Sequence, residues 1–213
     1  MIDLSFSVVD ARPDTQAATP TINFRLRIRE AAAQPIQSIL LRCQLHFMPR
    51  RRSHAPVEKR RLLDLFGEPE RWGDTVQPLL WAQSSLIVPG FEGSVEIDFP
   101  VTCTYDLEVT AAKYLNALES GDVPLRFQFS GTVFAKTGAG FSIEQISWDR
   151  EAEFRMPVQI WRDLMELYFP GGGWIRLNRN NLDALQRFRT DHALPSWDAA
   201  IEALVNAVEE PAL

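Results

Sequence analysis

The sequence predicts an α+β fold: an antiparallel β-sandwich of about seven or eight strands with short helical insertions, followed by a three-helix C-terminal lobe. Three observations predict it. Apolar and polar residues alternate through most of residues 1–156, the period of half-buried strands. Gly- and Pro-containing connections separate these runs at spacings suited to antiparallel strands. Past Pro157 the apolar period becomes helical. The expected division is a sandwich over 1–156 and a helical lobe over 157–213, packed on it or integrated with it as one domain.

The elements follow in order. Leu4, Phe6 and Val8 alternate with polar neighbours. Phe24, Leu26 and Ile28 interleave with Arg25, Arg27 and Arg29, so one strand face is apolar and the other carries guanidinium groups. Ile39, Leu41, Cys43, Leu45 and Phe47 continue the pattern. The stretch SHAPVEKRRLLDLFGEPERWG breaks the alternation, and Pro56 and Gly67 suit the start and end of a short helix. Strands resume at SSLIVPG and at SVEIDFPVTCTY, where Pro100 implies an edge strand, a bulge or a bend. EVTAAKYLNALESG reads as a helix stopped by Gly121. VPLRFQFSGTVF, FSIEQISW and EAEFRMPV complete the strands, with a turn at Lys136–Gly140.

In the last part, Val158, Trp161, Leu164, Met165 and Tyr168 share one helix face. Pro157 fits its first turn, and Pro170 with Gly171–Gly173 fits its end and a hinge. Asn178 is the expected N-cap of a helix that turns Leu182, Leu185 and Phe188 inward. Ser196 is the expected N-cap of a final helix bearing Trp197, Ile201, Leu204, Val205 and Val208. The tail EEPAL is expected to fray.

PLRFQFSGTVF, WDREAEFRMPVQIWRDLMELYFPGGGWIRL and LPSWDAAIEALV carry a family likeness. The residues that bear it are Gly131, Phe134, Trp148, Glu153, Met156, Pro157, Trp161, Phe169, Pro170, Trp174, Leu185, Trp197 and Leu204. The chain resembles an uncharacterised bacterial domain-of-unknown-function family, strongly over its second half and in outline over its first. The resemblance implies genes lying among those for nickel–iron hydrogenases and their maturation, and so an accessory role. It brings no catalytic residues.

Composition narrows the function classes. The net charge is −6 and the apolar fraction 46%, ordinary for a globular protein and against general nucleic-acid or membrane affinity. The acidic start MIDLSFSVVDARPD is unlike a secretory signal, no lipidation motif appears, and the expected compartment is the cytoplasm. Cys43 and Cys103 are too few for a disulfide framework and read as small core residues.

Patterns that mimic active sites fail on context. Cys43 and His46 make half of a zinc pattern, but strand geometry puts them on opposite faces. Gly171–Gly173 follows a helix and lacks the Lys-Ser/Thr of a phosphate loop. Asp149, Glu151 and Glu153 alternate beside Arg150 and Arg155, which reads as a charged edge before it reads as a cation site. No catalytic, cofactor or metal residues are assigned, and no cofactor is expected.

The strongest local deviation is basic: Arg50, Arg51, Arg52, Lys59, Arg60 and Arg61, opposed only by Glu58. It reads as a solvated charged loop or, lacking interleaved aromatics, as a surface for a protein partner before a nucleic acid. Trp161, Tyr168 and Trp174 form a second candidate partner surface if they are not core. The functional expectation is a non-catalytic accessory or protein-interaction protein, assisting assembly or maturation of a redox enzyme such as a nickel–iron hydrogenase. The alternatives are a small-molecule or carbohydrate-binding sandwich, or an enzyme whose residues converge only on folding.

Overall fold

The computed structural model describes residues 2–104, 106, 109–137, 140–173 and 175–209. Trp174 and residues 210–213 of the tail lie outside them. The chain forms two compact units, Met1–Trp174 and Ile175–Leu213.

The first unit is α+β, with two antiparallel sheets. One sheet has the order β1-β2-β5, from Leu4–Pro13, Thr21–Glu30 and Ser94–Thr102. The other is built on β3 (Ile36–Phe47) and β6 (Asp122–Thr137). There β4 (Leu79–Val88) pairs with β3, while β7 (Gly140–Gln145) and β8 (Glu151–Pro157) share the far edge of β6. Pro100 sits on β5, at the end of its sheet, where its missing N–H costs no ladder bond.

Alternation became strands because each run had one face to bury. Ile22, Phe24, Leu26 and Ile28 on β2 and Ile39, Leu41, Cys43, Leu45 and Phe47 on β3 are all buried. The apolar faces of the two sheets meet through rings. Phe6 stacks on Phe129 with centroids 4.3 Å apart, and Phe24 meets Phe127 edge-on at 5.1 Å. On β1 the register shifts between Val8 and Asp10, so burial passes from Val8 to Ala11 and Val9 faces out. Gly131 lets β6 approach β3, because a Cβ there would lie 2.0 Å from the Leu40 carbonyl oxygen.

The C-terminal part corrects the expected three-helix lobe. Helix α5 (Val158–Tyr168) belongs to the first unit. It leaves β8 with no linker, and the Val158 N–H bonds the Gly121 carbonyl at 2.9 Å. Val158, Trp161, Leu164 and Met165 join the sheet core. The Tyr168 hydroxyl donates to the carbonyls of Asp14 and Ala17, tying the end of α5 to the β1–β2 loop.

Only α6 (Arg179–Asp191) and α7 (Trp197–Glu209) make the second unit. Their caps are those expected: Asn178 Oδ1 accepts from the Asn181 N–H at 2.9 Å, and Ser196 Oγ from the Ala199 N–H at 3.0 Å. Inward packing is thinner than expected. Leu182 is exposed, Leu185 and Phe188 are half-buried, and Trp197, Ile201, Leu204, Val205 and Val208 are exposed. Arg189 lies over the Trp197 ring at 4.1 Å.

Candidate functional site

The insertion between β3 and β4 carries the basic cluster. It runs through a 3₁₀ turn at Pro49–Arg51, helices α1 (Pro56–Arg61) and α2 (Leu63–Phe66), a second 3₁₀ turn at Pro69–Arg71, and α3 (Trp72–Thr75). Buried Pro49, Leu62 and Val76 root it in the protein. Helix α4 (Thr110–Ala117) packs nearby, its buried Tyr114 against Phe66 and Phe47.

The centre of the insertion is an ion pair. Glu58 is 2% exposed, and Arg52 Nη2 reaches its two carboxylate oxygens at 2.9 and 3.1 Å. The N–H groups of Ala55 and Glu119 also donate to Glu58, at 2.9 and 2.8 Å. Burial works against the Glu58 charge, but these N–H groups and Arg52 outweigh it and hold the carboxyl below its usual range. Arg52 also donates from Nε to the Ser53 carbonyl, from Nη1 to that of Asp122 and from Nη2 to that of Ser120. It therefore staples the insertion to the α4–β6 connection, with its side chain only 9% exposed.

The six basic candidates are thus divided in their roles. Arg52 is structural. Arg51 pairs with Glu153 on β8, and Arg61 with Glu119 at 3.5 Å. Arg50, Lys59 and Arg60 are exposed and make no ion pair among the described residues. The Arg25/Arg27/Arg29 face does not extend the patch. Asp98 pairs with Arg25 and Arg12, and Glu96 with Arg27, across from β5.

A cavity of about 300 Å³ opens in the insertion, lined by Arg50, Arg52, Ser53, His54, Lys59 and Trp72 among others. Trp72 is fixed by its indole N–H, which donates to the Gly67 carbonyl at 2.8 Å, and by edge contacts to Phe66 and His54. His54 Nε2 lies 3.5 Å from the Tyr114 hydroxyl. Burial first, then the positive charges of Arg52 and Lys59, bring the His54 pKa down to about 4, so its ring is neutral at pH 7. Sequence reasoning missed both His54 and Trp72. The second 3₁₀ turn folds Trp72 back against His54, and nothing in their spacing announces it.

The other candidates resolve as follows. Trp161 is 3% exposed and Tyr168 half-buried, so that face of α5 is spent on packing and is withdrawn as a partner surface; Trp174 lies outside the described residues. Cys43 is buried, its thiol pushed up to about 12 by desolvation, while His46 turns to the opposite face of β3. Among the described residues no group of three or more His, Cys, Asp or Glu side chains could hold a metal ion. Glu153 is committed to Arg51, and Asp149 lies beside Arg150. No helix of the described residues is long and apolar enough to cross a membrane.

No curated protein matches the chain in sequence. Among solved structures, it aligns with a putative late embryogenesis abundant protein at 12% identity and a TM-score of 0.31, over 73% of this chain and 72% of that one. With β-glucosidase 3B from Thermotoga neapolitana the identity is 13% and the TM-score 0.26, over 72% of this chain and 17% of the enzyme. With the putative ApaA protein from Bordetella pertussis the values are 14% and 0.24, over 73% and 93%. At these scores the alignments bear on neither fold nor activity. A family model, by contrast, spans residues 1–212. The chain belongs to the family of unknown function DUF6084.

Proposed function

We propose that this protein is a non-catalytic accessory protein that works by binding another protein, in the assembly or maturation of a redox enzyme such as a nickel–iron hydrogenase. The observation that carries the reading is the insertion. It is anchored by a buried ion pair and yet presents Arg50, Lys59 and Arg60 with no ion-pair partner among the described residues. The anchored backbone of the insertion does not have to be ordered on docking, so the entropic cost falls on the exposed side chains of Arg50, Lys59 and Arg60. On a chain of net charge −6 it also steers an acidic partner to one place. The cytoplasm is the compartment this role implies.

The test is affinity capture from the native host, comparing the wild type with the triple variant Arg50→Glu, Lys59→Glu, Arg60→Glu at low and high salt. A stoichiometric partner retained by the wild type and released by charge reversal, with unchanged melting, is expected. Capture of the same proteins by both forms refutes the role of this surface.

A further inference from the structure

The basic insertion has a concave feature as well as a charged one, and its lining is chemically specific. Two of its cations, Arg50 and Lys59, have no acidic partner among the described residues. The nearest acid, Glu58, is buried and already accepts from Arg52 and two backbone N–H groups, so it does not neutralise the lining. The third cation, Arg52, is nearly buried and bonded to Glu58 and three carbonyls, and acts as a wall. His54 is neutral and adds a polar ring without adding charge. Trp72, locked by its bond to Gly67, supplies a flat apolar side.

We propose that this cavity takes a side-chain carboxylate from an acidic segment of the protein partner, with its methylene stem against Trp72 and its charge between Arg50 and Lys59. The inference rests on the interaction reading above and names the chemistry of that contact. Two features favour this occupant over a free anion; charge alone does not, since Arg50 and Lys59 would neutralise a phosphate dianion at least as well as a carboxylate. About 300 Å³ holds a Glu-sized group and sits at the lower limit of small-molecule pockets, roughly 300–1,000 Å³. The lining is also open: Arg50, Ser53, Lys59 and Gly73 are exposed, so a free small acid would stay largely solvated. A peptide adds flanking contacts, and exposed Arg60, next to Lys59 on the same helix and without an ion pair among the described residues, is available for one.

The experiment follows the His54 ring and Trp72 indole resonances of the full chain at pH 7 and low salt. The probes are hexaglutamate, free glutarate and inorganic phosphate. The expected result is a saturable shift of both residues with hexaglutamate, and far weaker shifts with the other two at equal charge. Arg50→Glu with Lys59→Glu then weakens hexaglutamate at least tenfold, on the order of 1.4 kcal/mol, with an unchanged melting temperature. Trp72→Leu weakens it less, and Arg29→Glu on the other sheet leaves it unchanged. No saturable shift, or a shift indifferent to Arg50 and Lys59, overturns the proposal. Equal response to glutarate or a stronger one to phosphate overturns the acidic-segment assignment. Failure of the two ideas is separable. Charge-sensitive capture without hexaglutamate binding removes only the cavity's role, while hexaglutamate binding without any captured partner removes the interaction reading.

Discussion

Replacing Glu58 by Ala tests whether the insertion is held from within. Glu58 accepts from Arg52, Ala55 and Glu119, so its loss leaves a guanidinium at 9% side-chain exposure and two backbone N–H groups without their acceptor. Breaking one side of a buried ion pair costs about 3–5 kcal/mol. Arg52 keeps carbonyl acceptors at Ser53, Ser120 and Asp122, which places the cost near the lower end, about 3 kcal/mol. For a chain of this size that lowers the melting temperature by roughly 6–12 °C. Glu58→Gln retains one oxygen acceptor and is expected to lose about half as much. The decisive comparison is Arg52→Met with Glu58→Ala, which removes both charges and leaves no orphaned guanidinium. Its stability is expected to exceed that of Glu58→Ala, with a double-mutant coupling above about 1 kcal/mol. Denaturant unfolding reads the energies, and hydrogen exchange over residues 49–66 locates them. A Glu58→Ala loss below about 1 kcal/mol, or additivity with Arg52→Met, refutes the staple.

Two further outcomes follow from the geometry. Gly131→Ala places a Cβ 2.0 Å from the Leu40 carbonyl at φ +143°, so β3 and β6 must separate; a loss above about 3 kcal/mol in denaturant unfolding or a collapse of soluble yield is expected, while Gly172→Ala, with no atom nearer than 3.9 Å, stays within about 0.5 kcal/mol. His54 has a folded pKa of about 4 against an ordinary 6.5, so the unfolded chain binds the extra proton between those values and stability falls as pH drops through that window. The full gap corresponds to roughly 3 kcal/mol, reduced to about 1–2 by solvent screening of a half-buried ring, and His54→Gln is expected to flatten the stability profile from pH 6.5 to 4.5. Below 4.5 the depressed carboxyl of Glu58 adds its own loss, which His54→Gln leaves in place.

What was legible in the sequence is what local physics determines. Alternation located β2, β3 and β6 because a one-residue slip would turn Phe24, Leu41 or Phe127 to water. Asn178 and Ser196 announced their helices because few other residues satisfy a free N–H at a helix start. What was hidden depends on partners distant in sequence. The periodicity of α5 says that one face is apolar but not whether sheets or helices cover it, so Trp161 read as core first and as interface second, with its covering element undetermined. The guanidinium row on β2 looked like a cationic surface until register placed Asp98 beside Arg25 and Glu96 beside Arg27. Hydropathy cannot anticipate Glu58 either, since it assigns an acid to water and the fold gives it N–H groups and a guanidinium instead.

The same comparison separates ordinary surface charge from the candidate site. Arg29, Arg42 and Arg71 also make no ion pair among the described residues, so lack of a partner alone distinguishes nothing. Exposed single cations are well served by water, and pairing them gains little. Arg50 and Lys59 differ because they line one cavity together, walled by a tryptophan that a hydrogen bond holds in place. Both are exposed and form no ion pair among the described residues, so the molecule's own stability does not require them there. The nearby acid, Glu58, is instead turned inward to fix the scaffold that positions them. A structural role accounts for Arg52 and Glu58. That role does not extend to Arg50 and Lys59, and the proposed carboxylate of a partner would give them one.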